Sequence, residues 1–329
     1  MATEIKIYKD LTKGDGFTVS IGKGPNGNDW KCFRSATYNW NFDLGTGYFE
    51  RWGATENEDP EMSPYGPEIA DIELTTICSG VSGKLCSYCY KSNTPNGKNM
   101  TLDTLKKVIA QVNWNNQLTQ VAFGLGSTAE ENPELWDMCE YLHANYVVPN
   151  GTVAQVDHAT AYKIAKSFGA VAISYHNDFD VLANTVLNLR LAQKSASPAL
   201  NLRQINIHFM IAEETYEDCI RLFEHVKTDP RYEGLNAIVL LGLKQCGRAK
   251  SGFTKLSYKK FKTLVEMAFA ANIGLGFDSC SASKFEDVAK QIFSGEQLDE
   301  VLQMIEPCES GLFSSFVNVD GRYFHCSFE

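Results

Sequence analysis

From Glu68 onward the chain alternates between two kinds of segment, and that alternation limits the folds open to it more than any other feature. Short apolar stretches of strand character, Asp71–Ile77, Thr119–Phe123, Tyr146–Val148, Gly169–Ser174, Gln204–Ile211, Asn236–Leu243 and Ile273–Phe277, are each followed by a segment of helical period. Helices are expected over Thr101–Val112, Pro133–Asn145, Ala159–Ser167, Val181–Gln193, Thr215–Lys227, Ser257–Ala271 and Asp287–Ile305. Thr101 stands where an N-cap belongs, and Pro133 where a helix tolerates proline. Six or seven βα units in series predict an α/β fold with a parallel sheet and right-handed crossovers, an open or closed barrel. Such folds carry their chemistry in the βα loops at the carboxyl ends of the strands.

Residues 1–66 are different in kind, rich in Gly, Asn and aromatic side chains. Tyr38, Trp40, Phe42 and Leu44 alternate with polar residues, Gly45-Thr46-Gly47 turns the chain, and Tyr48–Trp52 returns. This pattern predicts a β-hairpin with one apolar face. Ala54–Gly66 is acidic, contains proline and has no period, which suits a linker or lid. The 329 residues carry 30 Lys and Arg against 40 Asp and Glu, a formal charge of −10. That balance argues against wrapping nucleic acid or an anionic membrane. The longest apolar stretch, Ala237–Leu243, falls far short of the ~20 residues of a spanning helix. The first residues, MATEIKIYKDL, carry scattered charges and no apolar signal region, so a cytoplasmic protein with reduced thiols is expected.

The ten cysteines are too few for a disulfide scaffold, and their spacing is informative. Cys78, Cys86 and Cys89 fall together in a Gly- and Ser-rich loop just after the strand Asp71–Ile77. Three thiolates on one loop at a strand's carboxyl end can hold three irons of a [4Fe–4S] cluster and leave the fourth iron without a protein ligand. A C-x2-C pair with one further cysteine also serves zinc, although structural zinc wants four ligands and the loop offers no fourth Cys or His. Packed thiols are a third reading. Four further cysteines, Cys246, Cys280, Cys308 and Cys326, follow two late strands or bracket a tail with a turn at Asp320-Gly321. A hairpin in that tail would bring its ends together, and the four thiols would form an all-cysteine site for zinc or a cluster. Cys139 and Cys219 have the period of small core residues, and Cys32 carries no assigned role.

The cysteine loop on this strand order resembles the radical S-adenosylmethionine (radical SAM) superfamily. There, three cysteines follow the first strand of a partial α/β barrel, usually as C-x3-C-x-aromatic-C. Cys86-Ser87-Tyr88-Cys89 matches the second half, with Tyr88 at the aromatic position, whereas the first gap is seven residues instead of three. The resemblance implies a partial (β/α)6 TIM-like barrel over residues 67–277, an N-terminal β-hairpin region and linker over 1–66, and a small C-terminal cluster-binding extension over 278–329. It also implies a [4Fe–4S] cluster at Cys78, Cys86 and Cys89 that binds S-adenosylmethionine (SAM).

Further candidate contacts to SAM follow from the same resemblance. Gly124-Leu125-Gly126-Ser127-Thr128, ahead of Asn132-Pro133-Glu134-Leu135, lies where the superfamily often carries a Gly-Gly-Glu-Pro turn, but the turn here has no Glu. Gly124, Gly126, Ser127 and Thr128 are the residues it assigns there. Asn150, in Pro149-Asn150-Gly151-Thr152 read as a turn after the third strand, and Ser174, at the end of the fourth, are the others. Asn206 and His208 share the parity of Gln204 and are expected to face the barrel interior, where a satisfied buried histidine is the plainer reading of His208.

Cys246, Cys280, Cys308 and Cys326 resemble the auxiliary-cluster extensions called SPASM and twitch domains, which implies an auxiliary [4Fe–4S] cluster assisting electron transfer. The chemistry implied is reductive cleavage of SAM to methionine and a 5′-deoxyadenosyl radical that abstracts hydrogen from a substrate. An electron donor such as flavodoxin or ferredoxin would serve it. A peptide or protein side chain is the expected substrate. The same chemistry on a small metabolite or nucleotide, and a non-enzymatic zinc module, are the alternatives. For the aromatic hairpin three roles stand open: adding a strand to an extended peptide, covering the cavity, or packing on the barrel floor. No catalytic acid or hydrogen donor is legible in the chain.

Overall fold

The computed structural model describes residues 2–195 and 201–329, which form two sheets. The first is an antiparallel meander of β1 (Lys6–Gly14), β2 (Phe17–Lys23), β3 (Asp29–Ser35), β4 (Asn39–Asp43) and β5 (Phe49–Trp52), each paired with its sequence neighbour. The predicted hairpin is its β4–β5 half. The three strands before it escaped the sequence reading for a physical reason. Trp30, Lys31, Cys32 and Phe33 are all buried, so β3 is covered on both faces and shows no two-residue period.

The second sheet takes in the rest of the chain. Its elements run β6 (Ile69–Glu73), α1 (Leu102–Val112), β7 (Gln120–Gly124), α2 (Leu135–Ala144), β8 (Val148–Val153), α3 (His158–Ser167), β9 (Ala170–Ser174), α4 (Phe179–Lys194) and β10 (Gln204–Ile211). They continue through α5 (Tyr216–Thr228), β11 (Ala237–Gly242), α6 (Tyr258–Ala270), β12 (Leu275–Phe277), α7 (Ala282–Ile292), α8 (Glu296–Gln303), β13 (Ser314–Val317) and β14 (Tyr323–Phe324). The spatial order is β12-β11-β10-β9-β8-β7-β6-β13-β14, and every pair from β6 to β12 is parallel. Each of those strands is laid on the same side of its predecessor. Right-handed crossovers therefore carry all the connecting helices over one face. Ile72, Val121, Phe123, Ile173, Ile207 and Leu240 are buried among helix residues such as Leu105, Ile109, Leu189 and Leu264. The alternate residues Asp71, Ala122, Thr152, Ser174, Asn206 and His208 line the opposite, helix-free face and are only partly covered. Asn206 and His208 thus take the parity expected of them.

Local signals held at several ends. Thr101 Oγ1 accepts from Thr104 N at 3.2 Å as the N-cap of α1, and the tail forms an antiparallel β13–β14 hairpin around Asp320-Gly321. Three expectations need correction. Pro149-Asn150-Gly151-Thr152 is not a turn but the body of β8, with Ala122 opposite Asn150 and Phe123 opposite Gly151. Asn-Gly reads as a turn only where the chain must reverse, and here flanking strands hold it extended on both sides. The single helix expected over Asp287–Ile305 is two, because Gly295 adopts φ 59° between α7 and α8. The tail hairpin does not stand apart: β13 pairs parallel with β6, Ser314 opposite Ile69 and Val317 opposite Ile72.

The meander packs at the amino ends of the parallel strands, opposite the cysteine loop. Its core of Val19, Phe33, Tyr38, Trp40 and Phe42 meets Val148 at the start of β8 and Phe313 just before β13. Lys31 Nζ donates to Leu118 O at 2.7 Å and Tyr146 O at 3.2 Å, the residues leading into β7 and β8. Arg51 Nη1 lies 3.0 Å from Glu68 Oε2 and 3.2 Å from Glu309 Oε1, with its guanidinium 3.5 Å from the Phe313 ring centroid. The Tyr38 hydroxyl also donates to Glu68. Burial still pushes Glu68 up to about 7, against the pull of Arg51. Of the three roles left open for the aromatic hairpin, packing on the floor is the one its position fits.

Burial lowers the Lys31 ammonium from 10.5 to about 7. An unfolded lysine keeps its proton to pH ~10.4. Between those values the unfolded chain binds more protons, so the stability contributed by this residue rises with pH from about 7, and the penalty is fully present below it. Lys31→Met removes the titration. Measured by urea unfolding from about pH 6 to about pH 9, the stability difference should move in favour of the wild type above pH ~7, by at most ~1.4 kcal/mol per pH unit. A difference that stays flat with pH would show that Lys31 does not titrate in this range.

Candidate functional site: the cysteine loop

The loop joining β6 to α1 leaves the sheet at its carboxyl edge and is held by its own backbone. Cys78 N donates to Thr94 O at 3.0 Å, and Thr76 N to Lys98 O at 2.9 Å. The long Cys78–Cys86 spacer folds into a local excursion. Val81 and Lys84 exchange N–H···O bonds of 3.1 and 2.9 Å across Ser82 and Gly83, which have φ 49° and 75°. That is the two-residue reverse turn with positive φ at both centres, and it loops out the residues in excess of a short spacer.

Two side chains pin the loop to the neighbouring strand ends. The Tyr88 hydroxyl donates to Tyr175 O just past β9. Its ring meets Phe253 edge-on at 5.7 Å and packs on Ala212 and Leu243. The aromatic of the motif is therefore a latch between the loop and the carboxyl ends of β9 to β11. Arg248, beyond β11, donates from Nε to Cys86 O at 2.8 Å, from Nη1 to Asn93 O at 2.9 Å, and from its backbone N to Cys89 O at 3.0 Å. Its remaining nitrogen, Nη2, is buried without a partner among the described residues. Sequence reading did not single out Arg248, since its role depends on a loop 155 residues away along the chain.

Glu131 is the second residue missed. Its carboxylate accepts from Ser79 N at 2.6 Å, Ser127 Oγ at 3.0 Å and Thr128 N at 3.3 Å, tying the cysteine loop to the turn after β7. Thr128-x-x-Glu131 has the spacing of a capping box, which was the available signal. A carboxylate thus reaches the turn from three residues after Thr128. A Cβ on Gly126 would stand 1.7 Å from Glu131 Oε2 and 2.4 Å from Ile77 O, so this glycine makes room for the protein itself. Asn132 Nδ2 donates to Leu74 O at 3.0 Å and Met100 O at 2.9 Å, closing the loop at both ends.

The other sequence candidates separate. Gly124 ends β7 and is open to solvent, Ser127 is buried, and Thr128 is half-buried beside Glu131. Asn150 is set lower: its amide donates to Gln120 Oε1 at 2.8 Å and accepts from Ala170 N at 2.8 Å, at the starts of β7 and β9. Those bonds hold it away from the cysteine loop. Ser174 ends β9 opposite His208 and makes no hydrogen bond to a described residue through its hydroxyl. His176 and His208 are driven down to about 4 by burial and are neutral at pH 7, and His176 Nδ1 has no partner.

In the second cysteine set, Cys246 is two residues from Arg248 and so borders the first loop. Cys280 follows β12, where Asp278 accepts from Lys244 at 2.9 Å. The flanks of Cys308 and Cys326 are tied together, Ser310 Oγ donating to His325 O at 2.6 Å. Phe328 packs on Tyr90, with ring centroids 4.9 Å apart and planes tilted by 59°, and lies under Lys244 Nζ at 5.1 Å, bringing the end of the tail to the first loop. Among the described residues, no three His, Cys, Asp or Glu side chains stand close enough together to hold a metal ion. The donor set of the first loop still suits an iron–sulfur cluster: three soft thiols on one anchored loop, beside an unpartnered guanidinium nitrogen. Burial pushes the Cys86 thiol up to about 12, so a bound metal would have to displace its proton.

No protein-family model and no curated protein matches the chain. Solved structures do. Streptococcus suis SuiB bound to its precursor peptide SuiA superposes with a TM-score of 0.62 at 12% identity, over 88% of this chain and 80% of that one. SuiB in a separate crystal structure gives 0.57 at 12% identity over 80% of this chain, which there spans 61% of SuiB, less than two thirds of its length. The protein anSMEcpe, with bound AdoMet and a Cp18Cys peptide, gives 0.52 at 13% identity over 80% of this chain and 75% of that one. At these identities the likeness is one of fold. The likeness extends to the α/β fold with its parallel sheet, over most of the chain.

Arg248 supplies a direct test of the loop. Arg248→Ala leaves the Cys86 and Asn93 carbonyls without their charged donor, at ~1.5–3 kcal/mol for such a bond. Amide hydrogen exchange across residues 78–93 should accelerate roughly 10- to 100-fold with β9 unchanged. Arg248→Lys, with one point charge in place of a fork, should recover only part of the protection. Unaltered exchange in the alanine variant would show that the clamp does not hold the loop.

Proposed function

We propose that this chain is a radical SAM enzyme that modifies a peptide or protein side chain. The observation that carries the reading is the anchored three-cysteine loop at the carboxyl edge of a singly wound parallel sheet, the position where such folds keep their chemistry. On this reading the seven parallel strands over residues 67–277, one more than the six of the expected (β/α)6 unit, form a partial barrel, and its helix-free face is the substrate cavity. Residues 1–66 and 278–329 are the floor and the cluster-binding extension.

Cys78, Cys86 and Cys89 would hold a [4Fe–4S] cluster, and Cys246, Cys280, Cys308 and Cys326 an auxiliary one. Once reduced, and with SAM bound, the first would supply the electron for reductive cleavage of SAM, the chemistry that would start hydrogen abstraction from the substrate. The chain's own residues prepare that event. Tyr88 and Arg248 fix the loop, Glu131 joins it to the Gly126–Thr128 turn, and Ser174 presents a free hydroxyl at the end of β9 toward the cosubstrate. A flavodoxin or ferredoxin would deliver the electron in the cytoplasm. Among the described residues no helix is long and apolar enough to cross a membrane. SuiB has been crystallised with a precursor peptide and anSMEcpe with a peptide, which favours a peptide over a small metabolite.

Replacing Cys78, Cys86 and Cys89 together with Ala should remove the primary cluster's iron and abolish 5′-deoxyadenosine formation from SAM under reducing, anaerobic conditions. Continued formation of that product would refute the primary site. Cys308→Ala with Cys326→Ala should lower iron and sulfide by about one cluster, ~4 of each per chain. Unchanged iron in that double variant would exclude those thiols as ligands.

A further inference from the structure

Asp71 is not explained by packing or by the cysteine loop. It sits mid-strand in β6 between Ala70 and Ile72, both buried against the helices, so its side chain faces the helix-free side. Its register neighbours are Ala122 on β7 and Phe316 on β13. The carboxylate is solvent-accessible, yet it forms no hydrogen bond or ion pair with a described residue.

The charges around it do not balance. Lys91 is the cation whose field reaches Asp71. Lys91 Nζ, however, lies 3.5 Å from Glu73 Oε1 and 3.9 Å from the Phe316 ring centroid. Glu73 further accepts Val319 N at 3.2 Å. Two carboxylates thus share one ammonium, and Glu73 holds it. Lys244 is committed to Asp278, and Arg248 to backbone carbonyls of the loop. His176 and His208 are neutral. Enclosure pushes Asp71 up to about 6, with Lys91 offsetting only part of the effect. Open to solvent and without a donor among the described residues, the carboxylate is free to accept hydrogen bonds from a ligand.

We propose that Asp71 is an anchor for a cationic group of the substrate, its carboxylate accepting hydrogen bonds from a protonated amine or guanidinium bound on the helix-free face. This rests on the function proposed above and narrows its substrate class. A cation supplies both the missing charge and the missing N–H donors, whereas a neutral group of the same shape supplies neither. A peptide offers such a group through a lysine, an arginine or its terminal amine.

The test uses the whole chain, prepared anaerobically with SAM present, and two probes of similar shape. N-acetyl-lysine methylamide carries the cation, and N-acetyl-norleucine methylamide does not. Their dissociation constants, read by ligand-observed NMR, should differ at least about tenfold in favour of the lysine amide. Asp71→Asn should abolish the preference and Asp71→Glu retain it. Equal binding of the two probes to the wild type, or binding of neither, overturns the proposal without any variant. So does a preference that survives in Asp71→Asn, and so does loss of affinity for SAM in that variant, which would assign the carboxylate to the cosubstrate. Iron, sulfide and 5′-deoxyadenosine measured on the same wild-type preparation test the enzyme reading separately. A chain without iron fails that reading whatever the probes do, and an iron-loaded, SAM-cleaving chain that binds both probes equally fails only this one.

Discussion

The structure depends on one constraint of handedness. Seven parallel strands, β6 to β12, are added in a single direction, and the right-handed crossover puts every connecting helix on the same face. The two sides of each strand then meet different surroundings. Ile72, Phe123, Ile173, Ile207 and Leu240 satisfy the helix side by burial. The other side is released from that demand, so it can carry Asp71, Thr152, Ser174, Asn206 and His208 at partial exposure. A doubly wound sheet would have buried both faces and left chemistry only at its edge.

The cysteine loop follows from the same geometry. Parallel strands end together, so the loops after β6, β7, β9 and β11 crowd one edge. Crowding lets distant residues stabilise a segment that is irregular by itself. Glu131 reaches it from beyond β7, Tyr175 receives Tyr88 from beyond β9, and Arg248 reaches it from beyond β11. Glu131 and Arg248 satisfy backbone groups that a loop of this length would otherwise leave to water, and Tyr175 holds the loop through the Tyr88 side chain. The thiols therefore sit on a prepared backbone.

At the opposite edge the meander closes the floor with buried charge. Lys31 is satisfied by two carbonyls alone, and Glu68 by Tyr38 and Arg51. Burial shifts both groups to about 7, which makes the joint between the two sheets sensitive to pH. Arg51 extends the joint to Glu309, so the meander, the entry to β6 and the tail share one guanidinium.

The sequence by itself determined the α/β class, the strand order through its alternation, the helix start at Thr101, the tail hairpin and the grouping of three cysteines behind the first parallel strand. These are local or periodic properties, and period and spacing are written in adjacent residues. Only tertiary structure decided the rest. It drew Pro149–Thr152 into β8 because strands on both sides held it extended, and it built β3 with no visible period because both its faces are covered. It laid β13 beside β6, set Asn150 apart from the cysteine loop, and brought Arg248 and Glu131 to that loop. It also left Asp71 facing open space with its nearest cation spoken for. Each of these depends on partners tens to hundreds of residues away, whose approach is set by packing and handedness and leaves no mark in the local sequence.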